Sequence, residues 1–271
     1  MAAAAAAVAA IGLRVGLPAL LRAFGLHAPY RGPRHALPGA RALIVTTSHA
    51  RPGPKGRPTG VFASELTAPY YAFLDAGMQV DLASIQGGPI PVDRESFRWF
   101  VIASSDRRFL ADPKALGLAE RSLRVDEVAF ADYDVIFLAG GWGAAYDLGG
   151  STALGRGIGE AWAAGRVVGG VCHGPLGLLH ALDVDGTPLV RGRRLTAVTD
   201  RQVAQLGIRA TPQHPETELR AAGARFESAH ALLDVFARHV VVDGRLVTGQ
   251  NQNCGEETAQ RMIAVAGGAV R

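Results

Sequence analysis

From residue 42 onward the sequence is built from short apolar runs: Ala42 to Thr47, Gln79 to Ser84, Asp134 to Ala139, Arg166 to Val171, Leu195 to Val198, His239 to Val242 and Arg245 to Thr248. Longer amphipathic stretches separate most of them, the first from Phe62 to Ala76. Strands buried on both faces read as continuous apolar runs, and the helices between them must then cover both faces. The expected fold is α/β, a flavodoxin-like, doubly wound and mostly parallel sheet. In such sheets ligands bind beyond the carboxyl ends of the strands, so the residues that follow each run carry the functional information.

At 271 residues and 48% apolar content the chain can bury one large core. We place the domain at residues 39–271, with an insertion around residues 87–125, where Pro, Asp, Arg and aromatic residues mix without periodicity and shape a pocket or an oligomer contact. Residues 1–38 form a separate zone. An alanine run from Ala2 to Ala7 leads into an amphipathic pattern, with Ile11, Leu13, Leu17, Leu20, Leu21 and Phe24 on one side and Arg14 and Arg22 on the other. Pro29 to Pro38 then reads as a linker. The uncharged stretch ends at Arg14, short of a bilayer span, and Pro18 kinks any helix there. A cytoplasmic protein is expected, with the leader flexible, resting on a membrane surface or, less favoured, a cleaved signal or anchor.

The formal charge of +4 does not indicate nucleic acid. Residues 1–64 hold eight cations and no acid, leaving 20 cations against 24 acids in the rest. Two cysteines cannot form a disulfide framework, and no His, Cys, Asp or Glu set has metal-ligand spacing.

Three strand ends carry chemistry. Gly170-Val171-Cys172-His173-Gly174 has the form of a nucleophile elbow, in which flanking glycines permit a sharp turn that presents the central side chain at a helix start. Backbone N–H groups and the helix dipole there favour thiolate, and the His173 imidazole beside the sulfur suits proton transfer. Gly140-Gly141-Trp142-Gly143 ends another run, and its N–H groups suit a developing oxyanion. It lacks the G-x-G-x-x-G form, and no phosphate-loop lysine is present. Glu65 is a lone carboxylate in an otherwise apolar helix start, either solvated beside the dipole or buried and protonated. Cys254, after Asn251-Gln252-Asn253, reads as a spectator.

Together these places resemble the ThiJ/PfpI superfamily, with its class I glutamine-amidotransferase-like fold, and the branch of glyoxalase III and related heat-shock chaperones in particular. The resemblance spans about Arg41 to Ala266 and includes Asp147-Leu148, Asp185-Gly186, Leu189-Val190, Gly223-Ala224 and Asp243 to Asn251. It implies that Cys172 is the nucleophile, that a protonated Glu65 hydrogen-bonds its sulfur, and that the N–H groups of Gly141 and His173 form the oxyanion site. It also implies cofactor-free conversion of methylglyoxal to lactate, with a small carbonyl compound as substrate, and a homodimer is expected. Where the branch carries an acid to orient the histidine stands Val203, and Asp200, three residues earlier, is the candidate replacement. Trp142 stands where many relatives have histidine and makes that wall of the pocket bulkier. Competing readings are a stress chaperone and a carbonyl or oxidant sensor. Glutamine amidotransfer, suggested by His214-Pro215-Glu216, fits less well, because the tripeptide reads as an ordinary helix start.

Overall fold

The computed structural model describes residue 14 and residues 16–51, 57–208 and 210–269. The alanine run of the leader lies outside the described residues.

The chain forms β1 (Arg41–Thr46), α1 (Ala63–Asp75), β2 (Gln79–Ser84), α2 (Ser104–Leu110), α3 (Pro113–Glu120), β3 (Leu123–Arg124), β4 (Val135–Leu138), α4 (Ala144–Asp147), α5 (Thr152–Ala163) and β5 (Val167–Val171). There follow β6 (Arg194–Leu195), α6 (Asp200–Gln205), α7 (Pro215–Ala221), β7 (Arg225–Phe226), β8 (Val240–Asp243), β9 (Leu246–Gly249) and α8 (Gly255–Ala266). Seven strands make one sheet in the order β3-β2-β1-β4-β5-β9-β8, parallel except for the β8–β9 hairpin, which turns at Gly244 in the left-handed region. The expected doubly wound α/β architecture is the observed one. Leu195 to Val198 departs from its expected place, for β6 pairs with β7 in a separate two-stranded sheet.

Alternation along the central strands shows why both faces are covered. Ala42 and Ile44 of β1 and Val135 and Phe137 of β4 point into the core beneath α1 and α8. Leu43, Val45, Ile136 and Leu138 point into the opposite core with Leu154 and Ile158 of α5. Phe73 of α1 meets Phe137 edge-on at 6.0 Å, one of many fully buried pairs that fix α1 over the sheet. Burying each such side chain is worth roughly 1.5–3 kcal/mol.

Residues 87–125 hold α2, α3 and β3, so this segment supplies an edge strand as well as helices. Thr67 of α1 donates to the buried Asp106 of α2 at 2.6 Å, which docks the segment on α1. Residues 16–23 are helical. The chain after them lies along the body: Leu26 is buried, the His27 N–H donates to Asn253 Oδ1 at 2.8 Å, and Leu37 packs against the core. Contacts therefore cross the compositional boundary at residue 38.

Candidate active site

The carboxyl ends of β1, β4 and β5 converge, and the close approach of their backbones explains the glycines. A Cβ on Gly170 or on Gly174 would run into the Leu138 carbonyl at the end of β4. Neither glycine is in the left-handed region; the residue that is, at φ 59°, is Cys172 itself. The flanking glycines thus admit the neighbouring strand, while the backbone strain of the elbow falls on the cysteine. Hydrogen bonds hold that conformation from both sides, with the Cys172 N–H donating to the Gly249 carbonyl at 3.1 Å and the Val198 N–H donating to the Cys172 carbonyl at 3.0 Å.

Glu65 lies in the first turn of α1 and is 1% exposed. The buried reading is the observed one. Its carboxyl is set against the Cys172 sulfur and the N–H groups of Gly140 and Gly141, and a Cβ on Gly140 would overlap Glu65 Oε2 and the His173 amide nitrogen. Burial pushes Glu65 up to about 8, so it is neutral at pH 7 and acts as a donor toward sulfur. Burial also pushes the Cys172 thiol up, as does a charge on Glu65, while the N–H groups of Gly141 and His173 pull it down. The pair therefore holds at most one negative charge. Burial outweighs the two N–H groups, so at neutral pH Cys172 is held as the thiol beside a protonated Glu65, and the thiolate expected from the turn alone is not the resting state.

His173 is 2% exposed, and its Nδ1 lies 3.3 Å from Cys172 Sγ. Burial lowers its pKa to about 4, so it is a neutral base at pH 7. Its Nε2 is enclosed and has no hydrogen-bond partner among the described residues.

Asp200 does not fill the role of orienting acid directly. Its Oδ2 accepts from Thr217 Oγ1 at 2.6 Å, and its Oδ1 faces His214 Nδ1 at 3.6 Å, with no hydrogen bond to His173 among the described residues. The physical reason is its place at the start of α6, where it faces the first turn of α7. Val203 is fully buried in the same apolar cluster as Cys172. His214-Pro215-Glu216 is a helix start, with Pro215 in the first turn of α7. Its imidazole lies beside Asp200, which the local reading of that tripeptide missed.

Beyond Gly141 the wall is aromatic. Trp142 and Tyr146 meet at 6.0 Å, and the His49 ring stacks on Tyr146 at 4.2 Å. Trp142 Nε1 and His49 Nε2 are buried without partners among the described residues. Asp147 fixes the loop after β1 by accepting from Thr47 Oγ1 at 2.7 Å and from the Ser48 N–H at 2.8 Å. His49 and Tyr146 carried no signal in the sequence, since only the fold pairs them. Among the described residues no group of three or more His, Cys, Asp or Glu side chains could hold a metal ion. A cleft of about 440 Å³ lies on the outer side of α1, lined by His27, Tyr71, Ser105, Arg108 and Asn253, and does not include Cys172.

A mostly parallel sheet whose interior strand β5 runs into a left-handed cysteine, with an imidazole and a buried carboxyl at its sulfur, marks an α/β protein of the cysteine-elbow kind. The model of the DJ-1/PfpI family matches residues 58–264, and the chain belongs to that family. It is 29% identical over 237 residues to glutathione-independent glyoxalase hsp3101 of Schizosaccharomyces pombe, covering 83% of this chain and 96% of that protein. To glyoxalase 3 of Candida albicans it is 28% identical over 221 residues, covering 77% and 90%. Among solved structures it resembles the Rapid Encystment Protein of Francisella tularensis, with a TM-score of 0.77 and 29% identity over 84% of this chain and 99% of that one. The glyoxalase III structure from Candida albicans matches with a TM-score of 0.71 and 25% identity, covering 83% and 97%.

Proposed function

We propose that this protein is a glyoxalase III-type enzyme that converts methylglyoxal, or a close α-oxoaldehyde, to the 2-hydroxy acid without an added cofactor. The observation that carries the reading is the convergence, in one buried turn, of a thiol, a neutral imidazole, a protonated carboxyl and two N–H groups. The relatives' names add the substrate class.

The residues divide the chemistry as follows. Cys172 sulfur adds to the aldehyde carbon while its proton passes to His173 and from there to the new alkoxide oxygen, giving a neutral hemithioacetal and a free imidazole. Glu65 and the N–H groups of Gly141 and His173 hold the negative charge that moves from sulfur to oxygen. His173 then takes the proton from the former aldehyde carbon and delivers one to the neighbouring carbonyl carbon. The first carbon is oxidised to a thioester and the second reduced to a carbinol, so no external oxidant or reductant enters. Water cleaves the thioester, releasing lactate and restoring the thiol.

Purified protein is expected to form lactate from methylglyoxal in thiol-free buffer, and the Cys172→Ala variant to form none. Carbonyl binding by the wild type without product would favour the sensor reading.

Assembly and placement belong to the same proposal. A homodimer is checked by sedimentation. Contact of the leader with an anionic surface, through Arg22 and the exposed Leu20 and Phe24, is checked by vesicle flotation. Among the described residues no helix is long and apolar enough to cross a membrane.

A further inference from the structure

Beyond residue 64 the chain is net acidic, with 20 cations against 24 acids, yet one cleft on its surface is strongly basic. The cleft holds about 530 Å³ and lies between the leader and α8. Arg22 and Arg31 line it from the leader, and Arg238, Glu257 and Arg261 line it from the body. Four guanidinium groups thus share it with one carboxylate.

That carboxylate is already engaged. Glu257 Oε2 accepts from Arg238 Nη2 at 3.1 Å, and its Oε1 lies 3.6 Å from Arg261 Nη2. The adjacent acid, Glu256, pairs with Arg34 instead. Arg22 and Arg31 have no acid partner among the described residues, and Arg238 Nε is buried with no hydrogen-bond partner among them. Like charges gathered in a cleft repel one another, and solvent screens them less there than on an open surface. An anion placed among them removes that repulsion and takes up the unused N–H groups.

The walls are fixed by the protein itself. Leu26 is buried, the His27 N–H is held by Asn253, and the Tyr30 N–H donates to Glu256 Oε2 at 3.3 Å. A Cβ on Gly32 would overlap the Tyr30 ring that folds back over it, so Arg31 sits between two anchored neighbours. On the other wall the carbonyl before Arg238, that of Ala237, accepts from the buried Asn251 side chain at 2.6 Å. A guanidinium offers a planar fork of N–H donors that meets phosphate oxygens two at a time. Forks from two sides suit a phosphate group, with its several oxygens, better than a lone carboxylate.

We propose that this cleft is a phosphate-binding site. The phosphate is supplied by an anionic lipid headgroup or by a soluble diphosphate, and both present the same chemistry to the arginines. Exposed Leu20 and Phe24 flank Arg22, which is what brings the lipid into consideration. The inference deepens the leader's contact with an anionic surface proposed above and is independent of the reaction at Cys172.

Two ligands test it on the full chain at low ionic strength: inorganic pyrophosphate by titration calorimetry, and vesicles of equal parts phosphatidylglycerol and phosphatidylcholine by flotation. Arg22→Gln combined with Arg31→Gln removes two exposed arginines that hold no ion pair among the described residues, so this variant should fold. Arg156→Gln combined with Arg225→Gln makes the same charge change on α5 and β7, which pack on the opposite core. The first variant is expected to weaken binding about tenfold or more, and the second by less than about twofold. A loss confined to the first variant supports the cleft, with pyrophosphate marking a soluble ligand and vesicles a lipid. If neither ligand separates the two variants, or the wild type binds neither ligand, the cleft is overturned. Flotation retained equally by both variants leaves the leader's surface contact standing without the cleft. Pyrophosphate binding lost only in the first variant, with no flotation of the wild type, leaves the cleft standing without the surface contact.

Discussion

The two cysteines occupy matching places in the fold. Each follows the carboxyl end of a neighbouring parallel strand, Cys172 after β5 and Cys254 after β9, and each enters a helical turn. Both are buried, and burial pushes both thiols up. Their partners differ. Cys254 has ordinary right-handed geometry at φ −96°, and its S–H bonds the His239 carbonyl at 3.4 Å and lies 3.8 Å from Asn251 Oδ1. Amide oxygens accept a hydrogen bond but do not take the proton. Cys172 has an imidazole that can take it and a carboxylic acid that supports the sulfur once it is gone. Backbone N–H groups lie near both sulfurs, so they alone do not make a nucleophile. A proton acceptor and a strained turn separate the two.

The largest expected effect is the one that tests this contrast by deletion. Cys172→Ala should abolish lactate formation in a steady-state assay, while Cys254→Ala should retain activity within about threefold. Equal losses would show that the comparison is misdrawn.

Next in size is the pH response of Cys172's neighbours, whose alkaline part has no counterpart beside Cys254, where the buried His27 adds only to the acid part. Glu65 is raised from 4.5 to about 8, so the folded state holds a proton that the unfolded state has released. Its contribution to stability therefore declines as pH rises from 4.5 to 8, by on the order of 5 kcal/mol. His173 is lowered from 6.5 to about 4, so stability is also lost as pH falls through that window. Thermal unfolding followed across pH should show both flanks, and Glu65→Gln should remove the alkaline one. The pH profile of kcat/KM should likewise be bell-shaped, falling below about 4 as His173 gains a proton and above about 8 as Glu65 loses one.

Smaller still is a pair of glycine substitutions at equivalent places. Gly174→Ala puts a methyl into the Leu138 carbonyl and should cost about 1–3 kcal/mol by urea denaturation. Gly255→Ala, just after Cys254, meets nothing closer than 3.5 Å and should change stability by less than about 0.5 kcal/mol. Similar losses at both would mean that the Cys172 turn is no tighter than its neighbour.

Much of this was legible in the sequence, and the rest has physical causes. Apolar runs located the central strands to within a residue or two, because strands buried on both faces leave an uninterrupted signature; Leu195 to Val198, beside a two-residue strand of a small separate sheet, misled for want of that signature. The glycines around Cys172 marked the elbow by spacing, yet their reason lies in β4, more than 30 residues away. Glu65 stayed ambiguous because the loop that buries it, at Gly140 and Gly141, comes from another strand. His214 was legible as a helix start and only as that, since its neighbour Asp200 is brought there by the packing of α6 against α7.

The central claim is that the Cys172 sulfur, unlike that of Cys254, forms and releases a covalent adduct with the α-oxoaldehyde. Rapid quenching of the protein with methylglyoxal, followed by peptide mass analysis, tests it most directly. The account predicts a transient adduct on the Cys172 peptide that decays as lactate appears, persists in Cys254→Ala and is absent from Cys172→Ala. Lactate formed with no adduct at Cys172, or with the same adduct at Cys254, would contradict it.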